Sequence, residues 1–255
     1  MLREVCSPMD LYDADCFVGR WPTAQRYTDD VPALESHMER LGIGRALVRH
    51  TWGWHYDATA GNERLLAELA GHSELRPCLA VSPLLQEEMG GLQALLDRLG
   101  TAQAGAICLY PRSQSFSLAP WSCGALLEAM QAIAMPVILE CEEVGWDSLG
   151  ELLANWPRLP VILANTGYRV LRYLLPLLRR HANLHVSIAY LGDNQAIEAI
   201  GRECGFSQLL FGTGTPRIDG GGTIARLAYS QVSEENRAAI ASGNLERLLA
   251  GIHYA

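Results

Sequence analysis

Lysine is missing from the 255-residue chain, so every one of its 20 basic residues is arginine. A Schiff-base lysine, a pyridoxal-phosphate lysine and a carbamylated-lysine metal bridge are therefore excluded. A basic surplus is missing as well. The net charge of -8 argues against a nucleic-acid partner, which needs a cationic face to displace counterions. No apolar run approaches the ~20 residues of a membrane-spanning helix, so no membrane partner is expected. No Cys-x-x-Cys pair occurs among Cys6, Cys16, Cys78, Cys108, Cys123, Cys141 and Cys204. Cys108 and Cys141 sit in apolar runs, where a free thiol behaves as a small hydrophobe. The first ten residues carry Arg3, Glu4, Pro8 and Asp10 instead of an apolar leader stretch. Reduced thiols and a cytoplasmic location are the expectation. A Gly-x-Gly-x-x-Gly turn is also lacking, and the glycines at 220–222 lack the Walker spacing and its lysine. They read as a turn before a helix, not as a nucleotide loop.

The chain is 49% hydrophobic and 19% charged, which leaves no disordered bulk and enough apolar material for a large core. Short apolar runs predict strands at 11–18, 45–49, 76–81, 104–109, 136–140, 160–164, 184–189 and 208–212. Amphipathic stretches between them predict helices at 31–41, 61–70, 88–99, 123–133, 147–155, 170–181 and 195–202, with 223–229 and 234–250 after the last strand. Ser233, followed by Glu235 and Asn236, marks an N-cap. Apolar strands alternating with helices imply parallel pairing with both sheet faces covered. Eight such units in this length predict one α/β domain over residues 1–255, a (β/α)8 TIM barrel.

Five segments in order resemble the amidohydrolase-2 family, which includes aminocarboxymuconate-semialdehyde decarboxylase. Tyr12-Asp13-Ala14-Asp15-Cys16-Phe17-Val18-Gly19 is similar to its D-x-H-x-H-x-G strand. Met135-Pro136-Val137-Ile138-Leu139-Glu140 resembles a fifth strand ending in His, and Pro160 through Asn165-Thr166-Gly167 a sixth strand with His before x-Gly. Leu209-Leu210-Phe211-Gly212-Thr213-Gly214-Thr215-Pro216 resembles the "LFGSD-x-P" that follows the eighth, and Asn244 through Leu249 the closing "N-a-x-R-L". The resemblance implies an amidohydrolase-like barrel, acting as a hydrolase or a decarboxylase. It also places the family's ligand positions on Asp15, Phe17, Glu140, Asn165 and Gly214. All five depart from the pattern. Zinc takes His, Cys or carboxylate from about three protein side chains, so no cofactor is expected at the usual site. Asp15 and Glu140 are the fallback ligands if a hard divalent ion binds.

A barrel of this kind works at the C-terminal ends of its strands. Alternation puts Asp13, Asp15 and Phe17 on one face, expected to be the interior, with Glu140 and Asn165 pointing the same way. Asp15 and Glu140 read either as an acid–base pair or as carboxylates held in ion pairs with arginine. His50 and His55 stand in or beside the aromatic loop Thr51-Trp52-Gly53-Trp54-His55-Tyr56 and have the pKa for proton transfer. Trp52, Trp54 and Trp21 either line a pocket there or pack the mouth. Arg20, Arg112, Arg169 and Arg217 follow strands one, four, six and eight, where they can anchor an anion or neutralise the carboxylates. The reading is a barrel protein acting on, or binding, a small anionic carbonyl compound. Asp15, Glu140, His50 and His55 are its catalytic candidates, and Arg20, Arg112, Asn165, Arg169, Trp52 and Trp54 its binding candidates. A pseudoenzyme that binds a ligand or partner without reaction is one alternative. A metal enzyme with Asp15, Glu140 and a loop histidine is another. A homodimer stays open.

Overall fold

Buried parallel strands need residues that fill space on both faces, and the eight apolar runs supply them. In the computed structural model, which describes residues 9–22 and 29–254, they form β1 (Leu11–Val18), β2 (Ile43–His50), β3 (Leu75–Ala80), β4 (Ala106–Leu109), β5 (Val137–Glu140), β6 (Val161–Ala164), β7 (Leu184–Ser187) and β8 (Leu209–Leu210). The sheet order follows the chain from β1 to β8, every pair parallel. Closure comes from the segment after β8. Phe211 O accepts from Ala14 N at 2.9 Å, Asp15 O from Gly214 N at 2.7 Å and Thr215 O from Phe17 N at 2.8 Å. The eighth strand is thus shorter than the predicted 208–212, because its backbone leaves β7 after Leu210 to pair with β1.

Helices α1 (Val31–Leu41), α2 (Thr51–His55), α3 (Ala58–Glu68), α4 (Leu85–Met89), α5 (Leu92–Thr101) and α6 (Pro120–Ala132) cover the first half. The second half carries α7 (Trp146–Asn155), α8 (Leu171–Arg180), α9 (Ala196–Cys204), α10 (Gly220–Ala228), α11 (Glu234–Ala238) and α12 (Asn244–Ala250). Their starts follow capping chemistry: Asp30 accepts from Ala33 N at 2.9 Å, Asp57 from Ala60 N at 2.6 Å, and Ser233 from Asn236 N at 3.2 Å. The apolar stripes, such as Val31, Leu34 and Met38 on α1, are buried against the barrel.

Four local expectations are corrected. Thr51–His55 is a helical turn and not a loop, because His50 caps it by accepting from Trp52 N at 3.0 Å. The helix predicted at 88–99 is two helices, parted by Gly90 and Gly91 at φ 74° and 96°, a region that other residues rarely adopt. The glycines at 220–222 open α10 under an Asp219 cap instead of forming a turn before it. The last helix is interrupted by a π-helical turn at Ala239–Gly243.

The six cysteines among the described residues are unpaired; Cys6 and most of the first ten residues lie outside them. Among the described residues no helix is long and apolar enough to cross a membrane.

Candidate functional site

Strand parity on β1 turns Asp13, Asp15 and Phe17 into the barrel, all at most 1% exposed. Asp13 is held by neutral donors: Thr213 N at 2.9 Å, Thr213 Oγ1 at 2.5 Å and the backbone N of Asp15 at 2.9 Å. Burial outweighs these bonds and pushes its pKa up to about 6. Asp15, one turn of the pleat higher, takes a hydrogen bond from Ser187 Oγ at 3.3 Å and an ion pair from Arg49 Nη2. Gly212 lets these groups meet, since a Cβ there would lie 2.3 Å from Ser187 Oγ.

Arg49 joins the two sides of the barrel. It comes from β2, opposite Phe17 in register, and its side chain is 1% exposed. Nη2 pairs with Asp15 Oδ1 and Nη1 with Glu140 Oε1 at 2.5 Å. Arg217, on the loop after β8, completes the chain with Nη2 at 2.8 Å from Glu140 Oε2. All four carboxylate oxygens of Asp15 and Glu140 therefore accept a hydrogen bond. Burial pushes the pKa of Asp15 up, and Arg49 opposes it only in part. Burial acts the same way on Glu140, but there Arg49 and Arg217 together hold the carboxyl below its ordinary value. The Nε atoms of both arginines are buried without a hydrogen-bond partner.

An aromatic cluster closes over this network. The Phe17 ring lies 3.9 Å below the Arg49 guanidinium carbon, and Arg217 stands 5.2 to 5.4 Å from the rings of Trp54, Trp21 and Phe17. Trp54 stacks on Tyr110 at 4.9 Å and on His55 at 4.9 Å, and Trp21 meets His55 edge-on. The Trp54 indole N–H donates to Glu143 Oε1 at 2.9 Å. His55 is exposed at the rim. Partial burial of its ring and the nearby Arg217 charge hold its pKa below that of free histidine.

The structure brings Asp15, Glu140, His55 and Trp54 to one place; Asn165 reaches only its edge, through Glu142 Oε1, which also accepts from Arg217 Nη1 at 3.5 Å, and the remaining candidates stand apart. His50 faces away from the interior: its Nδ1 caps α2 and its Nε2 is 3.8 Å from Glu68. Asn165 does not point with Glu140, because Ala164 is the residue in register with Glu140 and Asn165 turns into a left-handed conformation. Its side chain donates to Glu142 Oε1 at 3.2 Å instead. Arg20, Arg112 and Arg169 are exposed, with Arg112 donating to the Glu142 carbonyl at 3.4 Å and Arg169 lying beside Tyr168. Trp52 is exposed against His50 and Tyr56. Among the described residues, no group of three or more His, Cys, Asp or Glu side chains is placed to hold a metal ion.

Arg49 escaped sequence reasoning, as did Ser187, Thr213 and Tyr110. A charged residue at inward parity within an apolar strand was the available signal for Arg49.

With the site in view, comparisons place the chain. A family model described as Amidohydrolase (amidohydrolase-2) matches residues 16–250. No curated protein matches the chain. The 2,6-dihydroxybenzoate decarboxylase from Rhizobium superposes with a TM-score of 0.72 at 14% identity, over 95% of this chain and 99% of that one. The 5-carboxyvanillate decarboxylase from Sphingomonas paucimobilis gives 0.73 at 12%, over 96% and 100%. The dihydroxybenzoic acid decarboxylase from Polaromonas sp. JS666, with bound manganese and the inhibitor 2-nitroresorcinol, gives 0.74 at 14%, over 95% and 97%. At such identities the likeness is one of fold, the TIM barrel.

Proposed function

Since the chain belongs to the amidohydrolase-2 family, we propose that it is a member in which a buried guanidinium stands where the family's barrels hold a divalent ion, and that it handles a small anionic carbonyl compound at the rim above. The observation that carries this is Arg49, 1% exposed and bound at once to Asp15 and Glu140. The donor set does not fit a metal. Every oxygen of the two carboxylates is already engaged, and a dication between them would sit beside two guanidinium groups in a poorly screened interior. Phe17 and Gly214, at two of the positions that the resemblance implies for ligands, have no donor side chain.

Glu140, tied to two arginines, keeps its charge and is a poor proton donor or acceptor. Arg217 is the member of the ion network that reaches the rim, with its side chain 15% exposed; it is the anchor for a carboxylate or a polarised carbonyl. His55, whose pKa partial burial and Arg217 hold below that of free histidine, is the base that takes a proton from a compound so anchored. A second reading, ligand binding without reaction, is favoured by the closure of the network: Asp15, Glu140 and Arg49 are each at most 1% exposed. Function resides in the site and not in the fold, so the barrel alone does not separate the two.

Elemental analysis after incubation with Mn²⁺, Zn²⁺ or Mg²⁺ tests the metal half, with substoichiometric metal expected throughout. Near-stoichiometric metal, lost in Asp15→Asn, overturns it. A thermal-shift screen of small keto and aromatic carboxylates tests the other half. A hit that disappears in Arg217→Gln is expected, and turnover of that hit, abolished in His55→Gln, separates enzyme from binder.

A further inference from the structure

Beside the barrel mouth, the loops after β2, β3 and β4 enclose a cleft of about 630 Å³ that includes no residue of the Arg49 network. Two of its walls are aromatic and open to solvent: Tyr56 is 77% exposed and Trp121 83% exposed. Phe116 adds a third ring, half-buried. Both rings keep exposed π-surface for a ligand, although Tyr56 also meets Trp52 edge-on at 5.8 Å.

The polar groups of the cleft are rich in acceptors and poor in strong donors. Asp57 and Glu88 supply carboxylates, and among the described residues no arginine or histidine lines the space. Glu88 Oε2 accepts from Ser82 Oγ at 2.5 Å, which leaves most of its lone pairs unengaged. Gln114 donates through Nε2 to Gly53 O at 2.8 Å, while its Oε1 is buried with no donor at all. Of the helix starts that border the cleft, α4 has no side-chain cap but carries Glu87 and Glu88 in its own first turn, and those of α3 and α6 do not reverse this sign. Asp57 caps α3, Pro120 brings no N–H to the first turn of α6, and the amides of Ser122 and Cys123 both donate to Ala119 O.

Carboxylates beside exposed aromatic rings suit a ligand with a positive charge, N–H donors and an apolar body. We infer that this cleft binds a primary organic ammonium ion, its apolar part against Tyr56 and Trp121 and its ammonium toward Glu88. The inference does not depend on the function proposed for the barrel mouth.

Isothermal titration of the intact protein at low salt with phenethylammonium tests it, with 2-phenylethanol as the uncharged analogue and xylitol as a polyol. Saturable one-to-one binding of the ammonium is expected, about tenfold or more tighter than that of the alcohol. Glu88→Gln, which keeps the bond from Ser82, and Trp121→Ala, which removes an exposed ring, are each expected to weaken it by about threefold or more. Their melting temperatures serve as the check on folding. Equal affinity for ammonium and alcohol would reduce the cleft to an apolar groove. Binding of xylitol in place of the amine would make it a polyol site. Either result, or ammonium binding untouched by both substitutions, overturns the inference.

Discussion

The barrel mouth and the flanking cleft are built from similar parts, carboxylates next to aromatic rings, yet they treat charge in opposite ways. In the mouth, Asp15 and Glu140 are out of water, and the fold supplies two guanidinium groups to match them. In the cleft, Glu88 stays exposed and is matched only by a serine hydroxyl. The difference follows from solvation. An unpaired charge in the interior costs several kcal/mol, so the chain must provide its counterion. At the surface water screens the charge and the fold is under no such demand. The mouth is therefore a site of stability first, whereas the cleft keeps its polar groups available to a ligand.

Removing the counterion breaks this contrast most directly. Arg49→Met leaves Asp15 buried without a counterion and Glu140 with Arg217 alone, and is expected to cost about 3–5 kcal/mol, read by denaturant unfolding at neutral pH. Adding Asp15→Asn and Glu140→Gln should restore much of the loss. A single-variant cost under about 1 kcal/mol would mean that water reaches the network.

Within the mouth, Asp13 differs from Asp15 in having only neutral partners, and pH separates them. Its folded pKa, about 6, lies above the unfolded value of about 3.8. The stability linked to Asp13 is thus fully present below pH ~4 and is lost as pH rises through about 6, a change of about 3 kcal/mol. His185, on β7, runs the other way. Burial, with Arg247 nearby, lowers its pKa to about 4, so its contribution is present above ~6.5 and is lost as pH falls through about 4. The two slopes oppose each other between these limits. Asp13→Asn should expose the histidine slope as a stability that declines steadily on acidification. A pH profile identical to that of the unaltered protein would count against a protonated Asp13.

Smaller effects sharpen the comparison at the rim. Arg217→Gln should raise the pKa of His55 in an NMR titration, because it removes a nearby positive charge, while burial keeps the value below that of free histidine. No movement would detach His55 from the ion network. Smallest of all, Trp121→Ala in the cleft should alter stability by no more than about 0.5 kcal/mol, since the ring is 83% exposed. A larger loss would assign that ring to packing.

Much of the fold is legible in the chain because periodicity reports burial. β1 and α1 appear with the bounds their patterns predict, and the family's motifs fall at the strand ends. What escapes depends on contacts between distant segments. Thr51-Trp52-Gly53-Trp54-His55 has poor helical propensity and is held in a turn by its His50 cap. Asn165 is displaced by a single left-handed residue that no pattern announces. Arg49 is the clearest case. Its partner carboxylates lie 34 and 91 residues away, and the β1–β2 pairing that aims it carries two register shifts. Asp15 and Glu140 were found through resemblance, but the cation between them needed the closed barrel.

The stack at the rim has an optical consequence. Trp54 stacks on both Tyr110 and His55. An imidazole quenches indole emission far better once it carries a proton. The brightness of Trp54, and of Trp21, which meets the same ring edge-on, is therefore tied to the charge state of the histidine beside them, and the barrel mouth contains its own fluorescent indicator of acidity.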